Sequence, residues 1–198
     1  MDAVTVSDWR TELPVLAGKL VTLREPVAQD VDAIVDLLSA GDASTFGLDR
    51  PITDGAVRDL VDRVRKDRAA GAAFTFLMTL TDTRRIAGAI QVRQLDGGFE
   101  TAEWEFTIAP PARGTGAFIE AARLAGSFTF GTIGTRRLEA RALLNNGRAN
   151  GALRKLGAVQ EGVLRRSVRV HGEYVDQVLW SILKDDWALW VPVGPRVH

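Results

Sequence analysis

Cysteine is absent from the 198 residues, and histidine occurs only twice, as His171 and His198. The first absence removes disulfides, thiolate nucleophiles, iron–sulfur clusters and cysteine-ligated zinc together. The second argues against a histidine metal site and against a Ser–His–Asp triad, so no metal is expected. Long apolar runs are missing too: the uncharged stretch 124–135 falls short of the ~20 residues a membrane-spanning helix needs. The opening Met1-Asp2-Ala3-Val4 has neither a basic nor an apolar leader segment, so a cytoplasmic chain without membrane association is expected. Net charge of either sign is lacking, with 25 acids against 25 bases. No interleaving of aromatic and basic residues offsets this, so nucleic acid is not an expected partner.

What is present is ordinary globular composition, 46% hydrophobic and 25% charged. A chain of this length buries roughly 70% of its unfolded surface, enough for one core. The charge, though neutral in sum, is unevenly spread. Residues 1–54 carry ten acids and four bases, whereas 136–169 carry nine bases and two acids. Such asymmetry suits a polyanionic ligand on one side and a cationic one on the other, or two solvated faces.

Periodicity sets the order of elements. Residues 1–18 read as an irregular N-terminal arm, and 19–24 alternate at period two as a strand stopped by Pro26. Residues 27–38 have apolar positions 31, 34, 35 and 38 at helical spacing, with Gly41 as their stop, and a second helix is predicted over 55–70. Strands are predicted at 73–80, 85–94 and 101–109, the last ended by Pro110-Pro111, which cannot donate to a ladder. A helix over 117–130, a strand over 137–144 and a short helix over 146–156 closed by Gly157 follow. Two long strands, 159–170 and 173–183, are joined at His171-Gly172. The reading is a mixed α/β domain of about seven strands and four helices over 19–184, with 185–198 as a C-terminal tail.

Between the strand at 101–109 and its following helix stands Arg113-Gly114-Thr115-Gly116. A glycine-containing turn before a helix leaves main-chain N–H groups pointing outward, where they and the helix dipole can hold a phosphate. It is equally a turn that needs two flexible residues. The lysine phosphate loop is excluded because its pattern does not occur, and Ile119 breaks the dinucleotide fingerprint. A second segment runs Asn146-Gly147-Arg148-Ala149-Asn150-Gly151-Ala152-Leu153-Arg154-Lys155-Leu156-Gly157. Alone it is a short helix capped by Asn146.

Together the two segments resemble the GNAT superfamily of acyl-CoA-dependent N-acyltransferases. Its phosphate-loop pattern, Gln/Arg-x-x-Gly-x-Gly/Ala, is followed by Arg113, Gly114, Thr115, Gly116 and Ala117, with Phe118 standing where Gly or Ala is usual. Its later pattern, N-x-x-S-x-x-x-x-x-K-L-G, is matched by Asn146, Lys155, Leu156 and Gly157, with Ala149 in place of the serine. The run from Ala102 to Pro110 is similar to the corresponding strand of the branch that acetylates ribosomal-protein N-termini, except that Glu105 replaces a glycine. The resemblance covers about residues 19–184.

It implies the N-acetyltransferase fold, acetyl-CoA as co-substrate, and a pantetheine arm lying between strands 101–109 and 137–144. The arm would pair near Thr107 and Ile108, and the diphosphate would rest on the loop from Arg113 through Gly114, Thr115, Gly116 and Ala117 to Phe118. Asn146, Asn150 and Lys155 complete the cofactor-binding set. Chemistry asks for a base, because an amine is protonated at neutral pH. Glu103 and Glu105 alternate to one face with Thr107, and either can serve, Glu103 being the better match to the superfamily's position. A main-chain N–H at Ile108 can meet the developing oxyanion. No acid for the leaving thiolate is assigned, since the only tyrosine, Tyr174, lies on the final strand. Without cysteine, direct transfer to a primary amine is expected, the acceptor being a protein N-terminus or a small molecule. The acid-rich segment with Asp42, Asp49 and Asp54 favours a cationic acceptor. The alternative is an acyl-CoA-binding sensor or interaction module without efficient catalysis. Trp187 and Trp190 suit a cover for the sheet or for a second copy of the chain, making a homodimer possible.

Overall fold

A computed structural model describes residues 8–40, 46, 52–170 and 172–190 of the chain. Its eight strands are β1 (Leu16–Ala17), β2 (Val21–Arg24), β3 (Ala73–Leu80), β4 (Ile86–Gln94), β5 (Thr101–Ile108), β6 (Arg137–Leu143), β7 (Val159–Val170) and β8 (Glu173–Leu183). The α-helices are α1 (Val31–Ala40), α2 (Asp54–Ala69), α3 (Ala117–Phe128), α4 (Gly147–Lys155) and α5 (Lys184–Trp190). All strands join one sheet in the order β1-β2-β3-β4-β5-β6-β8-β7. Neighbours are antiparallel except β5 and β6, which are parallel.

The class expected from the sequence is the class observed, with one strand and one helix more than the seven and four anticipated among the described residues. The extra strand is β1, too short at two residues for any periodicity to reveal. The extra helix is α5, within the stretch read as a tail. The arm before it all is irregular up to Leu16 but not detached: Trp9 and Leu13 are buried in the main core, where Trp9 packs edge-on against Phe74 and Phe99. Trp187 of α5 is likewise buried in the main core, packed on Phe130 beyond the end of α3, its indole N–H donating to the Ser127 hydroxyl at 3.3 Å. The α3 helix stops at Phe128 and continues as one π-helical turn, Thr129–Ile133, closed by Gly134.

Alternation divides the sheet into two faces. Even-numbered residues of β3 to β6, among them Phe74, Phe76, Ile90, Trp104 and Leu138, meet α3 and α4 in the larger core. Odd-numbered Leu77 and Ala89 face the other way, into a second cluster built by Val31, Ile34, Leu37 and Leu38 of α1 and by Val57, Leu60, Val61 and Val64 of α2. That second layer covers the β3–β4 side. Toward β6 and β7 the odd face is polar, so burying it would strand charge. Among the described residues no helix is long and apolar enough to cross a membrane.

Candidate active site

The sheet opens where its one parallel pair begins. Pairing of β5 with β6 is confined to Thr101–Glu103 opposite Arg137–Glu139, while β4 accompanies β5 along its whole length. Beyond Glu103 the two parallel strands separate. The Ala109 amide donates to the Ala87 carbonyl at 2.8 Å, so odd residues of β5 turn their main-chain groups toward β4. The even ones, Phe106 and Ile108, therefore turn theirs toward the gap. The Ile108 carbonyl is met by Nε of Arg113 at 3.3 Å.

At the far end of this gap lies the glycine turn. Pro110–Ala112 form a single 3₁₀ turn, and the exposed Arg113, Gly114, Thr115 and Gly116 lead into α3. Gly114 and Gly116 take φ of +80° and +89°, the left-handed region that only glycine enters without strain. Gly116 caps α3 without any side-chain hydrogen bond. The Thr115 hydroxyl folds back to the Ala112 carbonyl at 2.8 Å and accepts from Ala117 at 3.3 Å, which braces the turn from inside. Phe118 is buried, its ring centroid 4.4 Å from that of Phe106, so a bulky residue here packs inward and leaves the amides clear. From the other side, the Glu120 carboxylate accepts from the amides of Lys19, Leu20 and Val21 at 3.0, 2.6 and 2.9 Å, tying the β1–β2 turn to the start of α3.

The two carboxylates of β5 have opposite surroundings. Glu103 is 8% exposed, and each of its oxygens is taken: Oε2 by Arg93 of β4 and Oε1 by Arg141 of β6. Glu105, one step further into the separated region, is half-buried. Burial is the largest influence on its carboxyl and raises its pKa. The Phe46 hydrogen bond opposes this, the charge of Glu103 adds to it, and Arg93 opposes it. The net direction is upward.

Glu103 is one link of a ribbon of alternating charge across the odd face. Arg141 also approaches Glu139 at 3.7 Å, Glu139 accepts from Arg137 at 2.9 Å, and Arg137 makes a two-pronged contact of 2.8 and 2.5 Å with Glu161 of β7. Glu161 also accepts from the Ser181 hydroxyl of β8 at 2.6 Å. The Arg137 hydrogen bonds and then that of Ser181 hold the Glu161 carboxyl down at about 2.

Of the residues selected from the sequence, Ile108 and the turn from Arg113 to Phe118 border the gap and Glu105 stands on the strand beside it; Thr107, expected to pair with the arm, is buried and as an odd residue turns its main chain to Ala89 of β4 instead. Asn146 caps α4, its Oδ1 accepting from Ala149 at 3.1 Å. Asn150 is 8% exposed and turned inward: Nδ2 donates to the carbonyls of Leu143 and Asn146, both at 2.9 Å, and Oδ1 accepts from the Trp180 indole at 2.8 Å. Its polar groups are spent inside the protein rather than in the gap. Lys155 is exposed in the last turn of α4, where a cation suits the helix dipole. Asp176 accepts the Arg166 amide at 2.8 Å, a contact within the β7–β8 hairpin, and Tyr174 is exposed. Asp54 opens α2, while Asp42, Asp49, His171 and His198 lie outside the described residues. Sequence reasoning did not single out Arg93; it shares the odd face of its strand with Gln91, but its partner becomes visible only once β4 and β5 are in register.

Comparison with known proteins agrees with this geometry. The sequence profile of the acetyltransferase (GNAT) domain matches residues 21–159. An uncharacterized N-acetyltransferase, p20, of Bacillus licheniformis is 24% identical over 169 residues, covering 85% of this chain and 95% of that protein. Two solved structures share the fold. RimJ of Mycobacterium smegmatis, in complex with CoA-disulfide, has TM-score 0.75 at 21% identity over 87% of this chain and 85% of its own. The ribosomal-protein-S5-alanine acetyltransferase of Vibrio fischeri has TM-score 0.76 at 17% identity over 88% and 98%. With a profile match over more than half of its length, the chain belongs to the GNAT family and is an acetyl-CoA-dependent acetyltransferase.

Proposed function

We propose that the enzyme moves the acetyl group of acetyl-CoA directly onto a primary amine, either a protein N-terminus or a small-molecule amine, with Glu105 as the general base. The observation that carries this reading is the separation of β5 from β6 just beyond Glu103, with Glu105 on its flank and the glycine turn at its end. The donor's extended arm requires unpaired strand edges, and its diphosphate requires uncrowded amides; the main chain of Phe106 with the Ile108 N–H, and the amides of Gly114, Thr115, Gly116 and Phe118, answer these needs, the Ile108 carbonyl and the Ala117 amide being held by Arg113 and Thr115. Asn146, the N-cap of α4, is assigned to the arm.

An ammonium acceptor gives its proton to Glu105, directly or through one water, and the freed nitrogen forms a bond to the thioester carbonyl carbon. The Ile108 N–H donates to the oxygen that gains charge. The C–S bond then breaks as the nitrogen loses its second proton, which passes through water to the leaving thiolate, and Glu105 returns its own proton to solvent. Burial suits Glu105 to this work, since a carboxyl whose pKa is raised takes a proton more readily. Glu103 is left to hold Arg93 and Arg141, because guanidinium groups already occupy both its oxygens. Kinship to enzymes acting on ribosomal proteins, and to a microcin self-immunity acetyltransferase bound to acetyl-CoA and AMP, supports both acceptor classes.

The test is thiol release from acetyl-CoA over a panel of peptide N-termini and small amines. Turnover with at least one acceptor, lost in E105Q while acetyl-CoA binding persists, is the expected result. Binding without turnover on any acceptor would leave an acyl-CoA-binding module, and wild-type turnover in E105Q would remove Glu105 from the chemistry.

A further inference from the structure

The line of ion pairs across the odd face does not serve its members equally. Glu103 lies between Arg93 and Arg141, Arg141 between Glu103 and Glu139, Glu139 between Arg141 and Arg137, and Arg137 between Glu139 and Glu161. Arg93 ends the line with a carboxylate on one side only. On its other side the strand register sets it opposite Ala73 of β3, which offers no charge. Its side chain is 48% exposed, so the guanidinium stays open to solvent where the cover of α1 and α2 over Leu77 and Ala89 ends. Of its five N–H donors, the one engaged among the described residues is on Nη2, given to Glu103.

This half-satisfied cation stands one step from Glu105. Gln91, two residues earlier on β4, is directly opposite Glu105, which makes Arg93 the diagonal neighbour of Glu105, about 7–8 Å away along the main chain. The Gln91 amide is turned to the far strand, Nε2 donating to the Thr75 hydroxyl at 3.0 Å. An ammonium that approaches Glu105 therefore meets a guanidinium of its own sign, while the nearby Glu103 is already taken. A simple cation gains from Glu105 and loses to Arg93, whereas a molecule with an anion a few bonds from its amine gains from both.

We propose that Arg93 recognises the acceptor, and that the acceptor is a primary amine carrying a carboxylate, paired with Arg93 while the amine lies at Glu105. The inference rests on Glu105 being the base. The free edge of a planar guanidinium matches the two oxygens of a carboxylate. A phosphate dianion asks for a second unpaired cation, and Arg141, with carboxylates on both sides, does not supply one. A free amino acid and a peptide with an acidic residue at its start present the same chemistry. A purely cationic acceptor, the expectation from the acid-rich stretch of the sequence, is disfavoured.

The experiment compares kcat/KM at saturating acetyl-CoA within two acceptor pairs. One is free aspartate against asparagine amide, the same skeleton without a carboxylate; the other is a pentapeptide with Glu against one with Gln at its second position. The wild type should favour the acid about tenfold in at least one pair, and less as salt is raised. The pair that shows the preference identifies the source as small molecule or peptide. In R93M the ratio of acid to amide should fall to within about twofold, chiefly through the KM of the acid, and R93K should keep part of it. Setting R93M against wild type cancels any difference between the amines themselves. No preference for the acid in either wild-type pair overturns the inference whether or not R93M folds, and so does a preference that survives in R93M. Loss of turnover in E105Q alongside either result leaves the base assignment standing. Wild-type turnover in E105Q, or no turnover with any of the four acceptors, overturns the proposed function and this inference with it.

Discussion

Glu103 and Glu105 project from the same face of β5 two residues apart, the first clamped between Arg93 and Arg141, the second half-buried outside that clamp, its carboxyl pushed upward chiefly by burial. Strand alternation places both carboxylates at the opening between β5 and β6, but their partners divide the labour. Replacing Glu105 by Gln should lower kcat by about 10²- to 10⁴-fold, the range of a general base, with little change in melting temperature. Replacing Glu103 by Gln should do the converse. It leaves Arg93 and Arg141 without their shared partner, costing about 1–2 kcal/mol of stability once their partial exposure is allowed for, and lowers kcat far less. Steady-state kinetics and thermal melts on the two variants separate the roles.

Asn150 tests the boundary between cofactor contact and scaffold. Its side chain joins α4 to the end of β6 and to Trp180 of β8 through buried hydrogen bonds. Asn150→Ala strands the Trp180 indole N–H, whereas the Leu143 and Asn146 carbonyls keep the amides of Asn146 and Asn150, and should cost about 1–3 kcal/mol in urea unfolding. The KM for acetyl-CoA should move little in the fraction that stays folded. A large KM change with unaltered stability would place Asn150 in the gap after all.

The order of elements was legible because β-strand alternation and helical spacing are local, and Pro110-Pro111 and Gly157 punctuate the chain where the structure does. The glycine turn was legible for the same reason, since Gly114 and Gly116 occupy positions only glycine takes without strain. What the sequence concealed depends on register. Arg93 and Arg141 lie ten and thirty-eight residues from Glu103, and only the pairing of β4, β5 and β6 brings them to it. Asn150 was misdirected by its place in a motif, because a buried amide and a ligand amide look alike in one dimension.

Gly116 should be the sensitive position for the donor. A Cβ there would sit 3.6 Å from Leu20, ordinary contact, so the penalty of Gly116→Ala comes from φ +89° rather than from crowding. A cost of about 1–2 kcal/mol in the left-handed conformation would be relieved by twisting the turn, which displaces the first amides of α3. The KM for acetyl-CoA should rise about tenfold while kcat at saturation stays within twofold. Titration calorimetry with coenzyme A should show the same loss in Kd, and an unchanged Kd would separate these amides from the diphosphate.

The far end of the charged ribbon predicts how the fold behaves in acid. Glu161 has its carboxyl held at about 2 in the folded protein against an ordinary 4.5, chiefly by the two-pronged contact with Arg137 and then by Ser181. The denatured chain therefore takes up this proton at higher pH than the folded one. Its contribution to stability is complete above about pH 4.5 and drains away as pH falls toward 2. Because the glutamate side chain is 37% exposed, water and salt weaken the contribution. Glu161→Gln should be less stable than wild type at pH 6, and the two should converge as pH falls through this window, most clearly at low ionic strength. Urea midpoints measured at pH 6, 4 and 3 in low and high salt check this; a gap that persists unchanged at pH 3 would mean that the Arg137 contact contributes through packing rather than through charge.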